Sequence, residues 1–148
     1  MAVESIIEGL RNYLAECPLL AELSPKAHID WTKVDGKGNY GIYFDGNDPI
    51  SEPYINGDQE MQYTAQIKIR KFTDTDAKRL EANAFLERLQ RYFRVQNASG
   101  NLPEMPNDCV PTEIEAVNAM FLDTDETGKG SVYIIQLHLN YTQYYNKN

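Results

Sequence analysis

The residues able to do chemistry are few in this chain and widely spaced. The acidic run near the C-terminus comes nearest to a recognisable site. Asp123, Asp125, Thr127 and Gly128 match the first half of a calcium loop. Such a loop needs a bidentate glutamate at its twelfth position, and Ile134 stands there. The flanks alternate like strands, so the segment reads as a hairpin turn and no metal site is assigned. The only histidines, His28 and His138, fall on the polar faces of predicted strands. Cys17 and Cys109 lie far apart, with no C-x-x-C and no metal-ligand spacing to a histidine. Cys17, Cys109 and His138 could meet in space. Nucleophilic catalysis, however, also needs an orienting group and an oxyanion donor. No nucleophile elbow, P-loop or dinucleotide fingerprint accompanies them. Glu113 and Glu115 share a strand face, as paired carboxylates of a hydrolase do, but a solvated or contact-lining face is the simpler account. No cofactor is expected, and the chain is read as a non-enzyme.

Two features suit binding instead. Lys68, Arg70 and Lys71, with Lys78 and Arg79, form a local basic patch that fits an acidic surface of a neighbouring subunit as well as it fits solvent. Eight of the ten tyrosines crowd two regions, Tyr40, Tyr43, Tyr54 and Tyr63 in the first half and Tyr133, Tyr141, Tyr144 and Tyr145 at the end. Tyrosine has an apolar body and a polar tip, so it serves both cross-strand packing and protein contacts.

A length of 148 residues predicts one domain, 1–148. A chain of that size buries roughly 70% of its unfolded surface and needs no disulfide or metal for stability. Apolar residues make up 42% of it, which argues against disorder. The net charge of -8 opposes binding to a DNA backbone, which wants a basic face. No apolar run approaches the roughly 20 residues that span a membrane. Glu4 precedes any basic residue, so no signal peptide is read and a cytoplasmic origin is expected. In that compartment the two cysteines stay reduced, with a Cys17–Cys109 disulfide as the alternative.

The elements that must position these residues follow from periodicity. Val3, Ile6, Ile7, Leu10 and Leu14 recur at helical spacing, predicting a helix over 3–16 that Pro18 stops. Ala27, Ile29 and Trp31 alternate with His28, Asp30 and Thr32, and Tyr40, Ile42 and Phe44 alternate after the turn Asp35-Gly36-Lys37-Gly38; together they read as a β-hairpin. Residues 45–59, rich in Gly, Pro, Asn and Asp, read as a long loop. Met61, Tyr63, Ala65, Ile67 and Ile69 face one way along a strand, and Gln62, Thr64, Gln66, Lys68 and Arg70 the other. Thr73, with Asp76 three residues on, looks like a cap for a helix carrying Leu80, Phe85, Leu86, Leu89 and Phe93 to about Val95, with Gly100 and Pro103 as stop signals. Strands over 113–122 and 132–145 form a closing hairpin. The expected fold is α+β, a mainly antiparallel sheet of about four or five strands with two helices packed on one face.

This order of elements resembles the minor capsid or tail-terminator proteins of long-tailed bacteriophages and prophages. The resemblance extends over about residues 3–145. It is carried by Asn39-Tyr40-Gly41-Ile42-Tyr43, by Asp48-Pro49-Ile50 with Tyr54-Ile55-Asn56-Gly57, by Ile67 to Phe72, and by the long helix and its exit from Phe85 to Pro103. Relatives often carry a Trp near the end of that helix, where this chain has Tyr92 and Phe93.

The resemblance implies a structural virion protein at the head–tail junction, assembled in the host cytoplasm. Such proteins form a ring, usually a hexamer, on the last ring of tail-tube protein. The ring forms in solution or only once its partner is present. It stops tube growth and presents the docking surface for the head through a neck or head-completion protein, while DNA passes through without specific binding. Ring symmetry implies head-to-tail contacts between unlike faces. An edge strand and the loop over 46–59 are natural contact elements, as is the turn over 124–130; deleting 125–129 is expected to leave folding intact and impair joining. The residues assigned to contacts are Tyr54, Asn56, Asp58, Lys68, Arg70, Asp125, Glu126 and Lys129. Rival readings are a head-completion or neck protein on the portal side, a small bacterial ligand-binding α+β domain, and a regulatory interaction module.

Overall fold

The computed structural model describes residues 3–23, 28–29, 39–124 and 130–144. The predicted turn at Asp35–Gly38, the residues Ala27, Asp30, Trp31, Thr32 and Tyr145, and the contact residues Asp125, Glu126 and Lys129 lie outside them.

Apolar residues at helical spacing form α1 (Ile6–Ala15), capped by the Ser5 hydroxyl, which accepts from the Glu8 N–H at 3.3 Å. Pro18 does more than end that helix: it opens a second short one, α2 (Pro18–Ala21), at a position where a missing N–H costs nothing. The sheet has five strands, β1 (His28–Ile29), β2 (Asn39–Pro49), β3 (Gln59–Phe72), β4 (Cys109–Thr124) and β5 (Gly130–Gln143), in the order β1-β2-β3-β5-β4. Helix α3 (Asp76–Ala98) links β3 to β4. The last four strands pair antiparallel, β3 and β5 in unbroken register from Gln59↔Gln143 to Phe72↔Gly130. The fold is α+β, as the alternation requires.

Several expectations need correction. β1 pairs with β2 parallel, His28 opposite Gly41 and Ile29 opposite Ile42, so the two are not a hairpin. A period of two reports which face is buried and is blind to strand direction. Residues 45–49 are not loop: β2 continues to Pro49 because a bulge between Phe44 and Gly46 lets pairing resume at Gly46↔Thr64. Gly46 has φ 145°, which a side chain rarely adopts. Thr75, not Thr73, caps α3, its hydroxyl accepting from the Lys78 N–H at 3.2 Å. The Thr73 hydroxyl is instead hydrogen-bonded to that of Ser131, both buried, tying the end of β3 to the start of β5. Leu80 lies in the solvent-facing first turns of α3 at 72% exposure and is not core.

One face of the sheet is dry. Tyr63, Ala65, Ile67 and Ile69 of β3 and Tyr133, Ile135, Leu137, Leu139 and Tyr141 of β5 are buried there. Leu10 and Leu14 of α1 and Leu89 and Phe93 of α3 join them in one cluster. Helix α3 ends in a left-handed turn at Gly100, φ 74°, where Asn101 N–H reaches Gln96 C=O at 3.0 Å and Gly100 N–H reaches Asn97 C=O at 3.1 Å. The exit beyond it is a seat for α1. Tyr13 donates to Asn101 C=O at 2.9 Å, and its ring stacks on Phe93. At Gly9 the two backbones touch: a Cβ there would sit 2.0 Å from Glu104 O.

That contact gives a prediction. Gly9→Ala forces α1 off the exit segment, and the obstructing atom is backbone. The variant should lose about 1–3 kcal/mol, the usual cost of overpacking, measured by urea unfolding. Undiminished stability would mean that α1 does not seat at Glu104.

Candidate interaction surfaces

The residues singled out for chemistry do not converge. Cys109 begins β4 on the dry face, its Sγ 3.3 Å from Gln143 Oε1, while His138 is on the opposite face between Thr64 and Glu115. The pleat separates them, since from Tyr133 to Tyr141 the buried positions on β5 are odd-numbered and His138 is even. Cys17 is buried under α1 and α2, and both cysteines are free thiols. Burial pushes the Cys17 thiol up. Burial and the neighbouring Asp108 push that of Cys109 up to about 12, so both are protonated and poor nucleophiles at neutral pH. Glu113 and Glu115 are exposed on β4 and line an open polar cleft of about 270 Å³ with Gln90, Arg94 and Asn97. Asp123 Oδ1 accepts from the Thr124 N–H at 2.8 Å, and Ile134 is a strand residue between Lys68 and Met120. Among the described residues no group of three or more His, Cys, Asp or Glu could hold a metal ion.

The tyrosines divide. Tyr13, Tyr40, Tyr63, Tyr133 and Tyr141 are core residues. Tyr141 donates to Asn47 Oδ1 at 2.7 Å, whereas the buried Tyr40 hydroxyl has no partner among the described residues, and burial raises it to about 12. Tyr54 alone among the described tyrosines is half out in solvent, at 51%.

Among the described residues the second face of the sheet carries no helix, and its register sorts residues into rows. Asp48, Gln62, Asn140 and Glu113 share one row; Gly46, Thr64, His138 and Glu115 the next. At the far end, Gly41, Lys68, Ile134 and Met120 share a row, followed by Asn39, Arg70, Val132 and Asp123. One end is therefore acidic and polar, the other basic and apolar. Lys68 lies over the Tyr43 ring, 4.5 Å from its centre. Arg70 Nε and Nη1 are buried without a hydrogen-bond partner among the described residues.

Beyond the acidic end, the loop over 50–58 is tightly built. Tyr54 N–H reaches Asp58 C=O at 2.7 Å, Asn56 and Asp58 bond each other twice at 3.0 Å, and Gly57 takes φ 91°. This frame holds Ile50, Tyr54 and Ile55 outward, Ile55 fully exposed. Tyr54, Asn56 and Asp58, expected as contact residues, thus share one turn, and Lys68 and Arg70 share one face at the other end of β3. Ile50 and Ile55 belong to the expected contact loop but were not among its expected contact residues; an isoleucine among Gly, Pro, Asn and Asp was the available signal. The sequence reading took Met120, Phe121 and Leu122 for ordinary strand, yet they are about half exposed. Their lack of alternation reflects two bulges and Asn118 at φ 56°.

β4 is an edge strand, and α3 covers part of it. Asn97 Oδ1 accepts from the Ile114 N–H at 2.9 Å, and Gln90 Nε2 approaches Ala116 C=O at 3.5 Å. Past Asn118 a cleft of about 300 Å³ opens between Arg79 and Asn83 of α3 and Phe121 and Tyr133 of the sheet. Among the described residues the helix side chains that bond this edge do so at its acidic half.

Compared with known proteins, the sequence matches no protein-family model and no curated protein. Among the described residues no helix is long and apolar enough to cross a membrane.

Two outcomes follow. Asn97→Ala should cost about 1 kcal/mol and speed hydrogen exchange of the Ile114 amide; unchanged exchange would mean that the cap does not protect the edge. Cys109 and Tyr40 titrate near 12 in the fold, above their ordinary 9.0 and 10.0. Between those values the unfolded chain releases protons that the folded chain keeps, so stability is whole below pH 9 and falls toward 12. Tm measured over that range should decline, and Tyr40→Phe, which removes the unpartnered hydroxyl, should lessen the decline without loss at neutral pH. A Tm flat to pH 12 would show both groups ionising freely.

Proposed function

We propose that this protein is a structural part of a long-tailed phage or prophage, a tail terminator that assembles as a ring on the tail tube, stops its elongation and offers a docking surface to the head. The observation that carries the reading is where the surface chemistry lies. The nucleophiles, bases and carboxylates are scattered over both faces of the sheet, while six of the ten large apolar side chains exposed among the described residues lie at its two ends, Ile50, Tyr54 and Ile55 at one and Met120, Phe121 and Leu122 at the other. Such ends suit protein contacts, since exposed apolar groups mark association surfaces. The order of elements, the bare second face and the resemblance in the long helix and its exit agree with this. No step in this function breaks a bond. Binding free energy does the work, and the ring contributes shape and a place to stop.

The experiment is mass by light scattering, for the protein alone and mixed with the tail-tube protein encoded beside it. A hexamer-sized species, alone or only with the tube, supports the terminator. A ring that ignores the tube and binds a portal-side protein moves it to the neck. A strict monomer indifferent to both sinks the ring altogether.

A further inference from the structure

The two ends of the sheet are complementary to each other and cannot meet within one molecule. Between Asp45 and Glu60 the chain has five carboxylates and no lysine or arginine. Lys68, Arg70 and Lys71 follow within four residues of β3, and no carboxylate of the described residues forms an ion pair with any of them. The nearby Asp74 and Asp76 are engaged with Lys78 at 3.0 Å and Arg79 at 2.8 Å. Glu60 and Arg70 lie on the same straight strand, roughly 33 Å apart at the usual rise per residue. Each end also carries exposed apolar side chains, and at the basic end two guanidinium nitrogens of Arg70 are buried with no acceptor among the described residues. Carboxylates are the groups such donors bind best.

We propose that a second copy of this chain satisfies both ends: the loop tip of one copy, Ile50, Tyr54 and Ile55 flanked by Asp48 and Glu52, docks on the outer sheet face of the next at Lys68, Arg70 and Met120. Unlike surfaces meet, so the contact is head-to-tail, and repetition with rotation closes a ring. This rests on the ring reading above and assigns the tip loop to the subunit–subunit contact within it. Local attraction between opposite ends overcomes the repulsion of a chain with net charge -8, and added salt weakens it.

The test is a charge swap in the full chain. One variant carries Asp48→Lys with Glu52→Lys, and the other carries Lys68→Glu. Mass is measured by light scattering under the conditions in which the wild type assembles, with circular dichroism and Tm as folding controls. Each variant alone should stay folded and fail to assemble. An equimolar mixture should recover the wild-type mass, because every contact then pairs opposite charges again. Variants that assemble like the wild type overturn this contact and leave the ring reading standing. A mixture that stays monomeric likewise overturns it. A wild type that never self-associates, alone or on the tube, removes both.

Discussion

The pairing of β3 with β5 is the interaction on which the rest depends. Fourteen residues face fourteen without interruption, which fixes the register of both strands. A slip of one residue would put Lys68, Arg70 and His138 into the core and Ile67, Ile69 and Leu137 into water. The sequence forbids that slip where both strands alternate, over Met61–Ile69 of β3 and Ile135–Tyr141 of β5. Everything else is placed by reference to this pair: β2 and β4 are laid on either side, and the helices cover the one face the alternation leaves apolar.

Helix α3 has two tasks along its length. Its buried stripe, with Phe85, Leu89 and Phe93, closes the core. Its flank reaches sideways through Asn97 and Gln90 to backbone groups of β4 that no strand pairs. An exposed edge invites pairing with other chains, and this helix removes that invitation for the first half of β4 only. Lys71 shows the same economy near the helix start, its stem lying over Phe85 with the ammonium 4.3 Å from the ring centre. Desolvation there lowers its affinity for a proton.

How much of this was legible depends on range. The α+β class, α1, β3, α3 and the closing hairpin follow from local periodicity, and Gly100 is a stop signal whose reason is visible in its own left-handed turn. Strand direction is a tertiary property, so the parallel placement of β1 could not be read from Ala27 to Thr32. The extension of β2 through Gly46 depends on a partner strand willing to tolerate a bulge. Thr73 and Thr75 are both adequate caps by type, and only the buried bond to Ser131 decides between them. Of the surface residues, Lys68 and Arg70 were readable because a period of two puts them on one face. Ile50 and Ile55 were hidden by turn residues that announce a loop and say nothing of what the loop displays.

The seat of α1 has a consequence for how the molecule opens. No ladder hydrogen bond of β2–β5 involves α1, whose contacts include side-chain packing, the Tyr13 hydroxyl and the close approach at Gly9. Residues 9 and 104 are distant in sequence, so this seat exists only after the sheet and α3 are in place. The N-terminal helix is therefore a separable unit. It can lift away and expose Cys17, Leu20 and Tyr40 while the strands stay paired, giving native-state opening a first step that is smaller than unfolding.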